Sequence, residues 1–195
     1  MMLSRLRKRS MQTDKTASRL HLGCGTIYFR GWINLDLDSP IADLHHDLRQ
    51  PLPFADNTIS AIYSEHVIEH LTSAEGVFAL SECRRVLKPN GVVRIATPDL
   101  TYLLMRYFFL WRSQDWITTF GYQHLKTRAE MVNLSFREWG HQHLYDYEEL
   151  VRRFREAGFT RIARRKLNWS PYPVLRGRES RKDSKLIVEA VKEDG

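Results

Sequence analysis

A strand, a glycine turn and a second strand near the start of the chain constrain its fold most. Residues 19–22 read as a short buried strand, Gly23 and Gly25 frame a tight turn, and residues 32–37 read as the next strand, with Asp36 near its end. Glycines let a backbone pass close to a ligand, and a carboxylate at the tip of the next parallel strand can accept the hydroxyl protons of a ribose. The segment therefore predicts a nucleoside pocket, although a lone GxG is often only a strand-to-helix turn.

Strand and helix patterns alternate further along the chain, as in a mostly parallel sheet. Thr72 and Glu75 form a capping box that begins one helix, and Asp146 caps a later helix that ends at Gly158. The remaining predicted strands are residues 42–46, 59–64, 92–97, 159–166 and 186–191.

Two longer segments resemble the class I S-adenosylmethionine-dependent methyltransferases, in the branch with a compact small-molecule, ubiquinone-biosynthesis-like domain. They are ADLHHDLRQPLPFADNTISAIYSEHVIEHL at residues 42–71 and ALSECRRVLKPNGVVRIATP at residues 79–98. The resemblance is strong over residues 19–98 and loose over residues 141–192. It implies S-adenosylmethionine as the cofactor.

The resemblance also implies which residues hold this methyl donor. The glycine turn is expected at its methionine end, Asp36 at its ribose, and Asp47 with the following leucine at its adenine. Glu65, just past the fourth strand, is a second candidate for the methionine end; the alternative is an exposed loop acid. The expected donor-binding residues are Gly23, Cys24, Gly25, Asp36, Leu37, Asp47, Leu48 and Glu65.

The fold class that follows from the resemblance is α/β: a Rossmann-like, seven-stranded, mostly parallel sheet with an antiparallel last strand and helices on both faces. The first crossover helix should be shortened, because Asp36 follows Gly25 by only eleven positions, where about 20 is usual. Tyr28 stands where a dinucleotide-binding motif needs its third glycine. This argues against a dinucleotide enzyme.

The length of 195 residues predicts one domain, residues 18–195, after a disordered basic leader at residues 1–17. The chain has no run of 18 apolar residues and no secretory signal pattern, so we expect it in the cytoplasm. Its two cysteines, Cys24 and Cys83, belong to no CxxC motif or Cys/His cluster. This argues against a disulfide framework or a zinc site, and no metal is predicted.

The net charge of +7 is unevenly distributed along the chain. It is +5 over residues 1–19, −5 over residues 20–150 and +7 over residues 151–195. Basic ends attract anions such as nucleic acid, phospholipid or a phosphorylated substrate. The alternative is that these charges form solvated faces.

Residues 99–140 interrupt the alternation with an unusually aromatic stretch. Such a stretch is more often core than substrate site, but the connection after the fifth strand lies beside the carboxyl ends of the strands, where ligands bind. We therefore predict a helical, lid-like insertion. Its length and the charges of Arg106 and Arg112 exclude a transmembrane segment but leave weak peripheral contact with lipid open.

Histidines are the candidates for a general base, because neutral imidazole accepts protons near cellular pH. His66 and His70 follow the fourth strand one helical turn apart. His141 comes from the segment before the last helix, together with His143. The expected catalytic residues are His66, His70 and His141. His66 would act as the base, His70 would orient it or line the same wall, and His141 would complete the site. For each of them, a hydrogen-bonded packing histidine is the alternative.

The sequence favours methyl transfer to a small-molecule or saccharide acceptor, most readily at oxygen. No Asn/Asp-Pro-Pro-aromatic run follows the fourth strand, where Ser64, Glu65 and His66 stand instead. This disfavours methylation of exocyclic amino groups of nucleic-acid bases. The alternatives are a methyltransferase for RNA or another polyanion held by the basic C-terminal face, and a non-catalytic donor-binding module. The pattern does not indicate an oligomeric state.

Overall fold

A seven-stranded sheet organises the computed structural model, which describes residues 18–193. The strands are β1 (Arg19–Leu22), β2 (Ile33–Asp36), β3 (Leu44–His45), β4 (Ile59–Glu65), β5 (Leu87–Thr97), β6 (Arg161–Arg164) and β7 (Leu186–Val191). Their spatial order is β3-β2-β1-β4-β5-β7-β6. The first five strands are parallel, whereas β7 runs antiparallel to both β5 and β6. The predicted α/β class and its mostly parallel seven-stranded sheet are confirmed, except for the helices expected on the second face. The predicted leader at residues 1–17 lies outside the described residues.

The register of the central strands brings their carboxyl ends to one edge. Leu22 at the end of β1 pairs with Leu35 of β2 on one side and with Ser64 of β4 on the other. The glycine turn, Asp36 and the residues after β4 therefore all leave the sheet at the same edge. Open parallel sheets bind their ligands at this edge.

Helices pack on one face of the sheet and in the insertion. Those within residues 18–193 are α1 (Ser73–Val86), α2 (Leu100–Phe108), α3 (Asp115–Thr119), α4 (Arg128–Arg137) and α5 (Tyr147–Glu156). The sheet is covered by α1 and α5. Leu80 of α1 and Phe154 of α5 lie in the main core together with apolar residues of the strands. Both predicted caps form: Thr72 and Glu75 make a reciprocal capping box at α1, and the Asp146 side chain accepts the Glu149 N–H at α5.

Irregular segments cover the opposite face. A second cluster of buried apolar residues joins Phe29 and Trp32 from the first crossover, Tyr63 of β4 and Leu175. These covering residues come from turns and a single 3-10 turn at Pro173–Leu175. The predicted helices on the second face are thus replaced by aromatic loop packing across the part of the chain that the structure describes.

The first crossover is shortened further than predicted, because no helix is assigned between Leu22 and Ile33. Asn34, fully buried, holds this crossover in place. Its side chain accepts the Phe29 N–H and donates to the carbonyl oxygens of Phe29 and Trp32 and to the Asp43 carboxylate. A buried amide that satisfies so many polar groups substitutes for the hydrogen bonds of a helix.

The predicted insertion is helical and has a small core of its own. α2, α3 and α4 surround a third cluster of buried apolar residues that includes Leu103, Trp116 and Met131. In contrast, Phe108 and Phe109 at the end of α2 are 66% and 73% exposed. The aromatic residues of the insertion therefore divide between core and surface. No helix among residues 18–193 is long and apolar enough to cross a membrane.

Candidate donor and acceptor site

The glycine turn after β1 packs tightly against the segment after β4. Gly23 has φ +66°, and a Cβ atom at this position would lie 2.1 Å from Cγ2 of Val67. Gly25 also has a positive φ, but a Cβ there would meet no atom within 4 Å. Gly23 is therefore required by both backbone conformation and packing, whereas Gly25 borders open space. The sequence predicted the turn but not its contact with Val67.

Asp36 lies beside this turn at the end of β2. Its Oδ2 accepts the Gly25 N–H at 2.8 Å, and its Oδ1 accepts the N–H groups of Asp38 and Ser39 at 3.2 and 3.1 Å. A carboxylate offers about four acceptor positions, so about one remains, on Oδ2. In this loop arrangement Asp36 can accept one further hydrogen bond, so it has room for one ribose hydroxyl rather than two.

The other residues predicted at the donor have different surroundings. Asp47 binds Arg49, whose guanidinium lies 2.7 Å from its carboxylate; this hydrogen-bonded contact lowers the pKa of Asp47 to about 2. Leu48 packs against the main core, and the Cys24 side chain is buried. Leu37, by contrast, is 57% exposed beside Asp36. Among the predicted donor-binding residues, Leu37 is the apolar side chain most accessible to an adenine ring.

Glu65 is committed to a structural contact. Its two oxygens accept hydrogen bonds from the N–H and hydroxyl of Ser180, the N–H of Arg181 and the hydroxyl of Ser184. The predicted contact of Glu65 with the methionine end is therefore replaced by an anchor for residues 180–184. The sequence could not show this, because the partners lie more than a hundred residues away.

A pocket of about 310 Å³ opens beside the segment after β4. One wall carries His66, His70 and His141; the others come from the insertion and from the anchored C-terminal segment. Aromatic rings and charged groups share the lining: Tyr102, Trp116, Trp139, Asp99, Asp115, Arg181, Asp183 and Lys185. Because Val67 touches the glycine turn and His66 lines the pocket, the donor loop and the pocket meet at residues 66–67.

The structure argues against His66 as the base. Its Nε2 lies 3.1 Å from the Ser184 hydroxyl, which already donates its proton to Glu65, so Nε2 is the donor. Its Nδ1 faces the Glu69 carboxylate at 3.1 Å. Neither nitrogen is directed at an incoming hydroxyl. His66 also adopts φ +54°, an uncommon conformation for a bulky residue, and its contacts hold it there.

Glu69, which the sequence did not indicate, is a buried acid behind the histidines, with 0% of its surface exposed. Burial raises its pKa, but the contact and charge of His66 outweigh this effect, so the pKa lies below its usual value and the group is ionised. Its Oε2 accepts the Thr97 hydroxyl at 2.9 Å. Its Oε1 has no hydrogen-bond partner within residues 18–193, because the approach of His66 is too oblique.

His70 and His141 come together as predicted, with ring centroids 5.1 Å apart. The Nδ1 of His141 lies 2.8 Å from the Ser135 carbonyl oxygen. Burial lowers the pKa of His141 more than this bond raises it, which keeps the ring neutral. His143 instead binds Glu149 outside the pocket.

A buried ion network behind the site was also missed. Arg94, on β5, is fully buried and contacts Glu179 at 2.5 Å and Glu189 at 2.7 Å. Glu189 lies directly opposite Arg94 on β7. The arginine inside the apolar run VVRIAT was the available signal, since a buried charge requires partners. The network fixes Glu179, next to the segment that Glu65 anchors.

Comparisons with known proteins find methyltransferases among similar sequences and structures. The sequence profile of a family described as a methyltransferase domain matches residues 20–95. A probable S-adenosylmethionine-dependent methyltransferase of Mycolicibacterium smegmatis is 34% identical in an alignment of length 98 that covers 41% of this chain and 37% of that protein. The chain thus matches well under half of the relative's length.

Solved structures share the fold. A Thermotoga maritima structure described as an S-adenosylmethionine-dependent methyltransferase, possible histamine N-methyltransferase, aligns with a TM-score of 0.56 at 13% identity, over 90% of this chain and 82% of that chain. A putative methyltransferase of Haloferax volcanii, in complex with a methyltransferase activator, gives 0.55 at 17% identity over 95% and 86%. Residues 20–95 therefore match a methyltransferase domain family, and the chain shares the fold of solved methyltransferase structures.

Proposed function

We propose that the protein transfers a methyl group from S-adenosylmethionine to an oxygen of a small-molecule or saccharide acceptor. The observation that carries this proposal is the pocket of about 310 Å³, which adjoins the donor loop at residues 66–67. When bound, the donor supplies a methyl carbon that its sulfonium has already made electrophilic. The task of the protein is then alignment, which can contribute about 7–11 kcal/mol to lowering the barrier.

The size and lining of the pocket support a small acceptor. Its volume lies at the lower end of the range of about 300–1,000 Å³ for small-molecule sites. Tyr102, Trp116 and Trp139 offer apolar faces, while Asp99 and Lys185 offer polar groups between them. A sugar ring presents this combination of apolar faces and hydroxyls.

Transfer to oxygen is favoured by the two histidines on the pocket wall. In His141, the bond from Nδ1 to a carbonyl oxygen, which can only accept, leaves the lone pair on Nε2. The His70 ring makes no hydrogen bond among the described residues and packs edge-to-face against the His141 ring. Either ring can accept or orient a hydroxyl proton, and a positioned base contributes about 10²- to 10⁴-fold.

The polyanion alternative loses support from the pairing of its basic residues. Arg164 binds Asp99 at 2.6 Å, and Arg165 binds Glu189 at 2.6 Å. Two of the arginines that would form the basic face are therefore partly neutralised. Nanomolar RNA binding that persists at about 200 mM salt would favour this alternative, since contacts to phosphates weaken steeply with salt.

Donor binding is the first test of the proposed function. Asp36→Ala should weaken S-adenosylmethionine binding at least about tenfold in calorimetry, because a buried hydroxyl is left unpaired. Asp38→Ala is the matched control, since this exposed neighbour uses only its N–H group in the site. Absence of binding by the native protein, or equal affinity of both variants, would contradict the proposal.

Turnover is the second test. Donor labelled in its methyl group should pass label to the small-molecule or saccharide fraction of a cell extract when the native protein is added. Label that enters only RNA would favour the polyanion alternative. Tight donor binding without any labelled product would favour the non-catalytic donor-binding module. The lack of a helix between Leu22 and Ile33 also favours that alternative.

A further inference from the structure

Three side chains at the wall of the pocket have the composition of a metal-binding set. One carboxylate oxygen of Glu69 and one ring nitrogen each of His70 and His141 all lie within 4.8 Å of one another. Glu69 and His70 belong to the 3-10 turn Ile68–His70 after β4. His141 arrives from the far side of the insertion, so only the fold assembles the set.

The state of the His141 ring suits a ligand. Its Nδ1 lies 2.8 Å from the Ser135 carbonyl oxygen and must donate its proton there. Nε2 therefore keeps the lone pair that a metal requires. Metal-binding histidines almost always hold their second nitrogen in this way, with a carbonyl or carboxylate that fixes the tautomer and the ring orientation.

Glu69 supplies an independent observation. Its side chain is fully buried, and its Oε1 has no hydrogen-bond partner within residues 18–193. A buried carboxylate oxygen without a hydrogen-bond partner is costly, so such groups require an explanation. Thr97 on Oε2 and His66 at 3.1 Å from Oε1 orient the carboxylate. A metal ion would supply Oε1 with a partner.

The distances allow a bound ion after a local rearrangement. In a tetrahedral zinc site two ligand atoms, each about 2.1 Å from the ion, lie about 3.4 Å apart. The separations of up to 4.8 Å here therefore need to shorten by at most about 1.4 Å. Rotation of the two imidazole rings, which are only partly buried, can supply this shortening.

We infer that Glu69, His70 and His141 form a site for a divalent transition metal of the zinc type, with open coordination positions directed into the pocket. Two histidines and a glutamate are a ligand set of catalytic zinc, which keeps a position free for water or substrate. Imidazole also selects zinc, copper, iron and nickel over magnesium or calcium. The site revises the prediction from sequence that no metal is bound.

The role of this ion rests on the proposed transfer to oxygen, whereas the site itself does not. A hydroxyl that binds the ion loses its proton more easily. The O–H proton leaves to water, and the oxygen uses the electron pair left behind to take the methyl group. The electron pair of the broken carbon–sulfur bond stays on the sulfur of the donor. With the ion bound, His70 and His141 serve as its ligands instead of accepting the hydroxyl proton. No separate protein base is then required, which agrees with the occupied nitrogens of His66.

Binding of Co²⁺ and Zn²⁺ to the metal-stripped full chain tests the inference without activity. We expect one ion per chain in calorimetry and a Co²⁺ visible spectrum typical of fewer than six ligands. His70→Ala and His141→Ala should each weaken binding at least about tenfold. His124→Ala is the matched control, since this exposed histidine should leave the affinity unchanged.

Glu69→Gln is informative only if it folds, because Glu69 is buried; the two histidine variants carry the test without it. Absence of a bound ion in the native chain, or equal affinity of His141→Ala and the native chain, would overturn the inference. Donor affinity is measured in the same samples. Donor binding without metal binding rejects the metal site alone, whereas metal binding without donor binding rejects the proposed function alone.

Discussion

The Cβ atom that alanine would add at Gly23 falls 2.1 Å from Cγ2 of Val67. The donor loop and the pocket segment are thus in contact through a position that tolerates no side chain. Gly23→Ala should abolish measurable donor binding in calorimetry. A left-handed conformation costs a residue other than glycine about 1–2 kcal/mol. The loss of stability should exceed this value, because Val67 must also move.

Two comparisons separate packing from backbone strain at Gly23. Gly31→Ala places alanine at φ +78° with no atom within 4 Å, so it should show the strain without loss of donor binding. Gly23→Ala combined with Val67→Ala removes the obstructing methyl and should regain part of the lost stability. A double variant no more stable than Gly23→Ala would refute the packing argument.

Removal of the buried arginine should cost much more stability than removal of an exposed one. Arg94→Met leaves Glu179 buried without its ionic partner and Glu189 with Arg165 alone, and an unpaired buried charge typically costs about 3–5 kcal/mol. Arg152→Ala removes exposed ion pairs on α5 and should change the free energy of unfolding little. Urea denaturation measures the free energy of unfolding of both variants. Similar losses of stability would mean that the buried network stabilises the fold no more than the exposed ion pairs do.

Stability should fall in acid partly because of His21. This buried histidine stacks on Phe29 at 4.1 Å, and burial lowers its pKa to about 4 despite its bond to Asn34. The unfolded chain, with a pKa of about 6.5, binds the proton first. The contribution of His21 to the free energy of unfolding is therefore complete above pH 6.5 and is lost as the pH falls to about 4. The loss amounts to about 3 kcal/mol.

The His21→Gln variant tests this contribution. Denaturation midpoints between pH 7 and pH 4 should fall less steeply in His21→Gln than in the native protein. The exposed His124→Gln serves as control and should follow the native curve. Parallel curves for all three proteins would exclude His21 as the cause.

The insertion should exchange amide hydrogens quickly until the site is filled. Its core is a small separate cluster around Leu103 and Met131, and elements that close over substrates come from the less stable parts of a structure. Residues 100–122 should therefore gain protection when donor and acceptor are both present, as measured by mass spectrometry. Protection equal to that of β5 in the free protein would identify the segment as permanent core.

The local elements of this protein could be predicted from its sequence. The glycine turn, the end of β2 at Asp36, the capping box of Thr72 and Glu75 and the cap at Asp146 all follow from residues close together in the chain. Their signals are short-range because turns and caps satisfy neighbouring backbone groups. The alternation of elements then restricted the topology to a parallel sheet.

Partners distant in sequence were decided by tertiary structure alone. Glu65 meets Ser184, Arg94 meets Glu179, and Glu69 meets His141 only because parallel strands and long crossovers bring these segments to one edge. The same contacts turned Glu65 and His66 from expected site residues into structural supports. Periodicity records which face of an element is buried, but it does not record which distant polar group will satisfy a buried charge. That pairing depends on the packed fold.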